Sequence, residues 1–361
     1  MKKGLALLLC AALSIGLFSC GKGKEEKAPE RTYELAMITI SESRSIDDGD
    51  CVQSAWEGLK AFAEEEEITY KYYEPVKDTD TARRKQIDRA AGAGASVIVC
   101  AGTPFEKVVG EAQQDYPELT FILAGAVPKD ENGETNIGSN CVSIGFRESE
   151  AGFLAGFAAV SEGFRHLGFM GESRQDSIKN YGYGFLQGCS AAAEARGTYV
   201  SVHYRYGQQT DSAAVVQKYA ENWFGEGTEV IFACGDTVVD SAAVEADIAG
   251  GRVIASAPPK RAVQNILAYV EPVYTDSVRE QLAAVYTDGF EGGRILTPGA
   301  SDDAWQLYMK EDQFSYFRQE DCEAVYRQLQ DGQLKPASAD KAKSAAGLVK
   351  ELELWNIELI L

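Results

Sequence analysis

An internal repeat of a strand–loop–helix unit constrains this chain more than any other feature. The run A-S-V-I-V-C-A-G-T-P-F-E-K-V-V-G-E-A, which starts at Ala95, resembles T-E-V-I-F-A-C-G-D-T-V-V-D-S-A-A-V-E-A, which starts at Thr228. Matches at nearly equal offsets predict two lobes of similar build. Three pairs share such an offset: Cys100 with Cys234 (134 positions), Gly58 with Gly188 (130 positions) and Tyr72 with Tyr204 (132 positions).

Within each half of the repeat, short β-rich runs alternate with helical patterns. This alternation is typical of parallel sheets with crossover helices, and ligands bind beyond the carboxyl ends of such strands. We therefore expect an α/β fold of two Rossmann-like lobes with parallel sheets, joined by a hinge. The predicted strands of the two halves lie at 33–40, 68–73, 97–101 and 120–124, and at 167–170, 199–206, 230–234 and 253–256.

The N-terminal segment has the pattern of a secretory signal. Lys2 and Lys3 precede an apolar run at 5–17, and L-F-S-C ends at Cys20 before a polar stretch. A basic head, a short apolar segment and small residues before a cleavage site define such signals. The last four residues resemble the lipobox of bacterial lipoproteins, which implies cleavage before Cys20 and lipid on that residue. We expect a signal peptide at 1–19, a lipidated tether at 20–32 and an extracytoplasmic position on the cell membrane.

Composition narrows the classes of partner. The 361 residues are 45% hydrophobic, which suffices for two ordinary domains, and the formal charge is −20. A strongly acidic chain does not suit nucleic acid, which requires a positive face. Two histidines and the lack of a C-x-x-C pair predict neither a metal nor a cofactor. Beyond Cys20, six cysteines remain, and the sequence leaves free thiols and disulfides both open.

The lack of common catalytic motifs argues against an enzyme. The chain contains no G-x-S-x-G elbow and no H-E-x-x-H motif, although a carboxylate-based hydrolase remains an alternative. Gly182, Gly184 and Gly188 lie where a helix begins, but the spacing and lysine of a phosphate-binding loop are missing. We therefore interpret these glycines as sites of close helix packing.

Two longer blocks and several short motifs carry a family resemblance. The blocks are Q-S-A-W-E-G-L at 53–59 and F-R-E-S-E-A-G-F-L-A-G at 146–156. From about Tyr33 to Pro336 the chain resembles the basic membrane protein family of solute-binding lipoproteins, similar to purine nucleoside receptors of ABC importers. The resemblance implies a type I periplasmic-binding fold, a small-molecule solute and an ABC permease as partner. The shorter matches are D-Y-P-E at 115–118, L-G-F-M-G at 167–171, Y-G-Y-G-F at 181–185 and G-F-E-G-G at 289–293.

The same resemblance implies a set of solute-binding positions, and several depart from the family pattern. Cys51 and Val52 stand where the family has a base-stacking Phe and an Asn. Family carboxylates fall on Gly125 and Ala257, and a family lysine falls on Glu271. The complete candidate set comprises Glu42, Asp48, Cys51, Val52, Gly102, Gly125, Tyr181, Asp236, Ala257 and Glu271.

The altered pocket changes the expected solute. Tyr181 retains one stacking aromatic, whereas Glu42, Asp236 and Glu271 give an acidic lining. Polar sites discriminate because buried groups go unpaired with the wrong ligand. The resemblance and these replacements together predict a neutral or cationic, nucleoside-like solute bound by hinge closure.

The expected domain boundaries follow from the repeat and the later elements. The N-terminal lobe is assigned to 33–146 plus 258–291, and the C-terminal lobe to 147–257 plus 292–336. Residues 337–361 form an extension that either docks or presents a partner surface. We expect a monomer. Two alternative functions remain open, a ligand sensor and a degenerate surface lipoprotein that is not coupled to transport.

Overall fold

The computed structural model describes residues 32–41, 46, 51–208, 211–259 and 263–361. The predicted signal peptide, the lipidation site Cys20 and most of the tether lie outside these residues, as do the candidates Glu42 and Asp48. No described helix combines the length and the apolar character that crossing a bilayer requires.

Strands and helices alternate along most of the described chain. The helices are α1 (Cys51–Glu65), α2 (Asp80–Gly92), α3 (Glu106–Asp115), α4 (Glu148–Glu162), α5 (Asp176–Ala195), α6 (Ala213–Gly225), α7 (Asp236–Ala249), α8 (Thr275–Tyr286), α9 (Gln319–Gln330) and α10 (Ala345–Glu351). The strands are β1 (Leu35–Ile38), β2 (Tyr70–Tyr73), β3 (Val97–Ala101), β4 (Thr120–Ala124), β5 (Cys141–Ile144), β6 (His166–Gly171), β7 (Val200–Tyr206), β8 (Val230–Cys234), β9 (Arg252–Ala255), β10 (Ile266–Pro272), β11 (Arg294–Leu296), β12 (Trp305–Met309) and β13 (Ile357–Ile360).

The described strands form two sheets, one in each lobe. The N-terminal lobe has the order β11-β5-β4-β3-β1-β2, with every pair parallel. The C-terminal lobe has the order β12-β10-β9-β8-β6-β7-β13, and its β10–β12 pair is antiparallel. Strands β1, β3 and β8 are buried along their whole length, as expected when helices cover both faces of a parallel sheet. The predicted α/β architecture of two lobes is confirmed.

The chain passes between the two sheets at three crossings, 145–147, 273–274 and 297–299. The first and third crossings run side by side, because the Gly145 amide donates to the Leu296 carbonyl (2.8 Å) and the Arg147 amide to that of Pro298 (2.9 Å). At the second crossing, the Tyr274 amide donates to the Ser54 hydroxyl of α1 (2.5 Å). Each crossing leaves the end of a sheet strand, so the three together connect the lobes at one place.

Sheet membership shifts the lobe boundaries that the sequence suggested. Strand β10, expected in the N-terminal lobe as part of 258–291, pairs with β9 and β12 in the C-terminal sheet. Strand β11, expected in the C-terminal lobe, pairs with β5 in the N-terminal sheet. The chain returns to the N-terminal lobe only after β10, whose apolar side chains are buried in the C-terminal lobe.

The C-terminal extension docks on the C-terminal lobe. Strand β13 pairs in parallel with β7, with Ile357 opposite Val200. Leu348 of α10 is fully buried, and the Tyr183 hydroxyl donates to the Ala342 carbonyl (2.9 Å). Of the two alternatives for 337–361, the structure therefore shows the docked one.

Candidate functional site

Glycines with positive φ end the strands that face the crossings. Gly102 follows β3 with φ 97°, and Gly125 follows β4 with φ 73°. Side chains larger than hydrogen are strained in this conformation. A Cβ atom on Gly102 would also come within 3.7 Å of Sγ of Cys51 at the start of α1. Replacement of either glycine would therefore strain the backbone at the carboxyl edge of the N-terminal sheet.

Tyr274 brings the second crossing against this edge. Its side chain is buried, and its hydroxyl lies 3.2 Å from the position that a Cβ atom of Gly125 would occupy. Burial raises the pKa of the Tyr274 phenol, and the nearby charges of Cys51 and Glu148 raise it further. Candidates Cys51 and Gly125 are therefore gathered around one crossing residue.

Tyr181 is the candidate of the C-terminal lobe that lies beside the first crossing. It lies on α5, and its hydroxyl donates to the Ser256 carbonyl (3.3 Å), next to candidate Ala257 at the end of β9. Its ring meets Phe146 of the first crossing edge-on, with centroids 6.0 Å apart. Burial raises its pKa, followed by the charge of Glu148. Tyr181 and Ala257 therefore lie beside the crossings too.

The remaining described candidates lie in different surroundings. Val52 is fully buried, so its side chain contributes to the core of the N-terminal lobe. Asp236 is exposed at the first turn of α7. The Glu271 carboxylate accepts a hydrogen bond from the Gln306 amide of β12 (3.1 Å), across the antiparallel strand pair.

Glu148 is a further polar residue of this region that the sequence analysis did not single out. It is the first residue of α4, directly after the first crossing, and its side chain is partly buried. The Asn180 amide donates to its carboxylate (3.0 Å), while the Asn180 carbonyl oxygen accepts from the Ala339 amide (2.7 Å). Burial raises the pKa of the Glu148 carboxyl. Glu148 thus places an oriented carboxylate close to both buried tyrosines.

Glu150, two residues further along α4, stabilises the connection. Its buried carboxylate accepts from the backbone amide of Ala300 (2.7 Å) and from the indole of Trp305 (3.4 Å), and it pairs with Arg147 (3.3 Å). These bonds join the first crossing to the chain that follows the third. Glu150 therefore holds these two crossings together.

Other features of the described chain lie outside this region. Six cysteines carry free thiols, and no cluster of three potential metal ligands occurs among the described residues. A cavity of about 560 Å³ lies between β7, α6 and β13, and it contains none of the candidate residues. We place the candidate site at the crossings because the candidates Cys51, Gly125 and Tyr181 lie beside them.

Comparisons with known proteins agree with this geometry. The family model of PnrA-like ABC transporter substrate-binding proteins matches residues 35–254. A CD4+ T-cell-stimulating antigen of Listeria monocytogenes is 25% identical over 252 residues, which cover 66% of each chain. The ABC transporter nucleoside-binding protein BmpA of Lactococcus lactis is 23% identical over 57% of this chain and 56% of its own length. The two matches thus span 66% and 56% of these relatives, less than two thirds of each.

One relative matches over a longer part of the chain, and two solved structures have a similar fold. Basic membrane protein A2 of Borrelia garinii is 24% identical over 84% of this chain and 86% of its own length. An ABC transporter solute-binding protein of Aeropyrum pernix superposes with a TM-score of 0.62 at 17% identity, over 90% of this chain and 98% of that one. One from Conexibacter woesei has a TM-score of 0.61 at 16% identity, over 85% and 99%. The fold and the family match show that this chain belongs to the PnrA-like ABC transporter substrate-binding proteins, a family of solute-binding proteins rather than enzymes.

Proposed function

We propose that the protein is a lipid-anchored receptor outside the cytoplasm that closes its two lobes around one small solute and delivers it to an ABC permease. The observation that carries this proposal is the set of three crossings beneath the carboxyl ends of both sheets. Connections confined to one place let two lobes rotate as units about a hinge. The anchor rests on the lipobox resemblance at Cys20.

The chemistry around the crossings favours a neutral or cationic solute. Gly125 and Ala257 have no side-chain group that can form a hydrogen bond, whereas Glu148 provides an acidic group. The acidic candidates Glu42, Asp236 and Glu271 act in the same direction if closure brings them to the solute. A lactococcal relative is named as a nucleoside-binding protein, which makes a nucleoside-like solute the first to test.

The side chains at the crossings are suited to binding and not to bond cleavage. Burial raises the pKa values of both tyrosines, so their phenols remain protonated at neutral pH and act as hydrogen-bond donors. Tyr181 and Phe146 are buried against each other here, and stacking of a base would contribute about 1–3 kcal/mol where opening of the lobes exposes one of the two rings. Binding with closure, without turnover, is the expected activity.

A thermal-shift screen of the full chain tests this function. The panel contains nucleosides, nucleobases, sugars, amino acids and vitamins. A ligand at 100 times its Kd stabilises a protein by about 2.7 kcal/mol, which such a screen detects. We expect at least one neutral or cationic compound to raise the melting temperature. Stabilisation by anionic compounds alone would contradict the proposed solute class, and stabilisation by none would contradict the receptor function.

A further inference from the structure

We propose that Glu148 is the residue that recognises the solute, by accepting hydrogen bonds from an amino or amidinium group. This inference rests on the proposed function, and it adds the chemical group that the site selects. Glu148 lies outside the set of positions that the family resemblance implied. Its place in the fold and the charges around it carry the argument.

The position of Glu148 is the first part of the argument. It begins α4 immediately after the first crossing, so it belongs to the C-terminal lobe but lies at the connection. Its charge acts on Tyr274 of the second crossing and on Tyr181 of α5. A solute bound at the crossings would lie close to this carboxylate, whether it contacted the N-terminal or the C-terminal lobe first.

The lack of a compensating cation is the second part. Among the described residues, Glu148 takes part in no ion pair, and the nearby Asp176 raises its pKa further. The neighbouring cations are already engaged, since Arg147 pairs with Glu150 (3.3 Å) and Lys179 with Asp176 (2.7 Å). A partly buried carboxylate without a protein counter-charge favours a ligand that supplies one.

The orientation of the carboxylate is the third part. The Asn180 amide donates to one oxygen of Glu148, and Asn180 is itself held by the Ala339 backbone amide. This chain of hydrogen bonds fixes the carboxylate and leaves acceptor capacity, because a carboxylate offers about four lone-pair sites. An amidinium, or an amino group beside a ring N–H as in guanine, places two N–H donors at the spacing that a carboxylate accepts, whereas a lone ring amino group donates a single hydrogen bond to it.

A purely local role for Glu148 makes a different prediction. Acidic side chains in the first turn of a helix interact favourably with the helix dipole. In that role, replacement by glutamine would lower stability and would leave solute selectivity unchanged. In the proposed role, glutamine keeps the shape and the Asn180 contact but loses the charge that attracts the donor group.

Isothermal titration of the full chain with cytidine, uridine, guanosine and agmatine separates these roles. Cytidine and uridine differ chiefly by an amino group in place of a carbonyl oxygen, so their affinity ratio reports on the recognised group. Wild-type protein should bind at least one amino- or amidinium-bearing probe and should prefer cytidine to uridine. In Glu148→Gln that binding should weaken about tenfold or more, as expected for loss of a charge-assisted hydrogen bond.

Glu194→Gln is the matched control, because Glu194 is an exposed carboxylate near the end of α5. Its affinities should equal those of the wild type. Equal binding by Glu148→Gln and wild type, or a wild-type preference for uridine, would overturn the role of Glu148. Failure of all four probes would overturn the amino or amidinium class. The receptor function would survive that result if the wider thermal-shift screen yielded another solute, and would fall only if that screen also yielded none.

Discussion

Glu148, the first residue after the first crossing, is a partly buried carboxylate, and its burial affects the stability of the folded protein. Burial raises the pKa of its carboxyl above the value in the unfolded chain. Between the unfolded and the folded pKa, the native state holds a proton that the unfolded chain has lost. Stability therefore falls as the pH rises through this interval, and Glu148 destabilises the fold at all higher pH values.

The substitution Glu148→Gln tests this effect. At pH 8 the variant should have a larger free energy of unfolding than the wild type, because glutamine carries no charge to bury. The difference should shrink as the pH falls below the folded pKa of Glu148. Urea denaturation at several pH values measures it, with the substitution Glu194→Gln at an exposed carboxylate as the control. A variant that is less stable than wild type at pH 8 would refute this account of Glu148.

Sequence reasoning reached some residues of the site region and missed others for physical reasons. Tyr181 and Gly125 follow recognisable motifs and strand ends, and both lie beside the crossings. Glu148 stands in the block at 146–156, and an acid in the first turn of a helix is common, so its sequence position alone does not indicate a binding role. Its burial and its neighbours come from tertiary contacts, which local pattern does not report.

At the scale of elements, four glycines allow α4 and α5 to pack closely. Gly152 and Gly156 of α4 face the backbone of α5, and Gly184 and Gly188 of α5 face the backbone of α4. A Cβ atom at any of the four would overlap a carbonyl oxygen of the other helix. The interpretation of Gly184 and Gly188 as packing residues is confirmed, but the expectation that they lie at the start of a helix is wrong, because α5 begins at Asp176.

The substitution Gly188→Ala should therefore destabilise the protein. Overpacking of a tight contact typically costs about 1–3 kcal/mol, and here the contact is with backbone that cannot rotate away. Gly92→Ala is the matched control, because a Cβ atom at the end of α2 would meet open space. The control should be neutral or more stable by about 0.4–1 kcal/mol. Equal melting temperatures for the two variants would show that α4 and α5 are not closely packed.

The elements that sequence reasoning missed are those without a strong local signal. Strand β5 has only four residues and follows a loop, and its place is fixed by pairing with β4 and β11. Strand β12 is antiparallel, so it falls outside an alternation of strands with crossover helices. In contrast, β3 and β8 are continuous apolar runs, and their observed bounds equal the predicted ones.

At the scale of the whole molecule, the repeat predicted two lobes but not the points at which the chain changes lobe. Both lobes are built from similar units, so a strand such as β10 suits either sheet by its own pattern. Pairing with β9 and β12 decides its place. In the proposed function the crossings matter most, because they are the segments about which the lobes would move around a solute.

Hydrogen exchange of the full chain, with and without the most stabilising solute of the screen, tests the central claim most directly. We predict slower exchange at 145–149, 273–275 and 297–300 and in the turns that follow β4 and β9, that is, in both lobes. Protection confined to one lobe, or to the cavity between β7, α6 and β13, would contradict binding between the lobes.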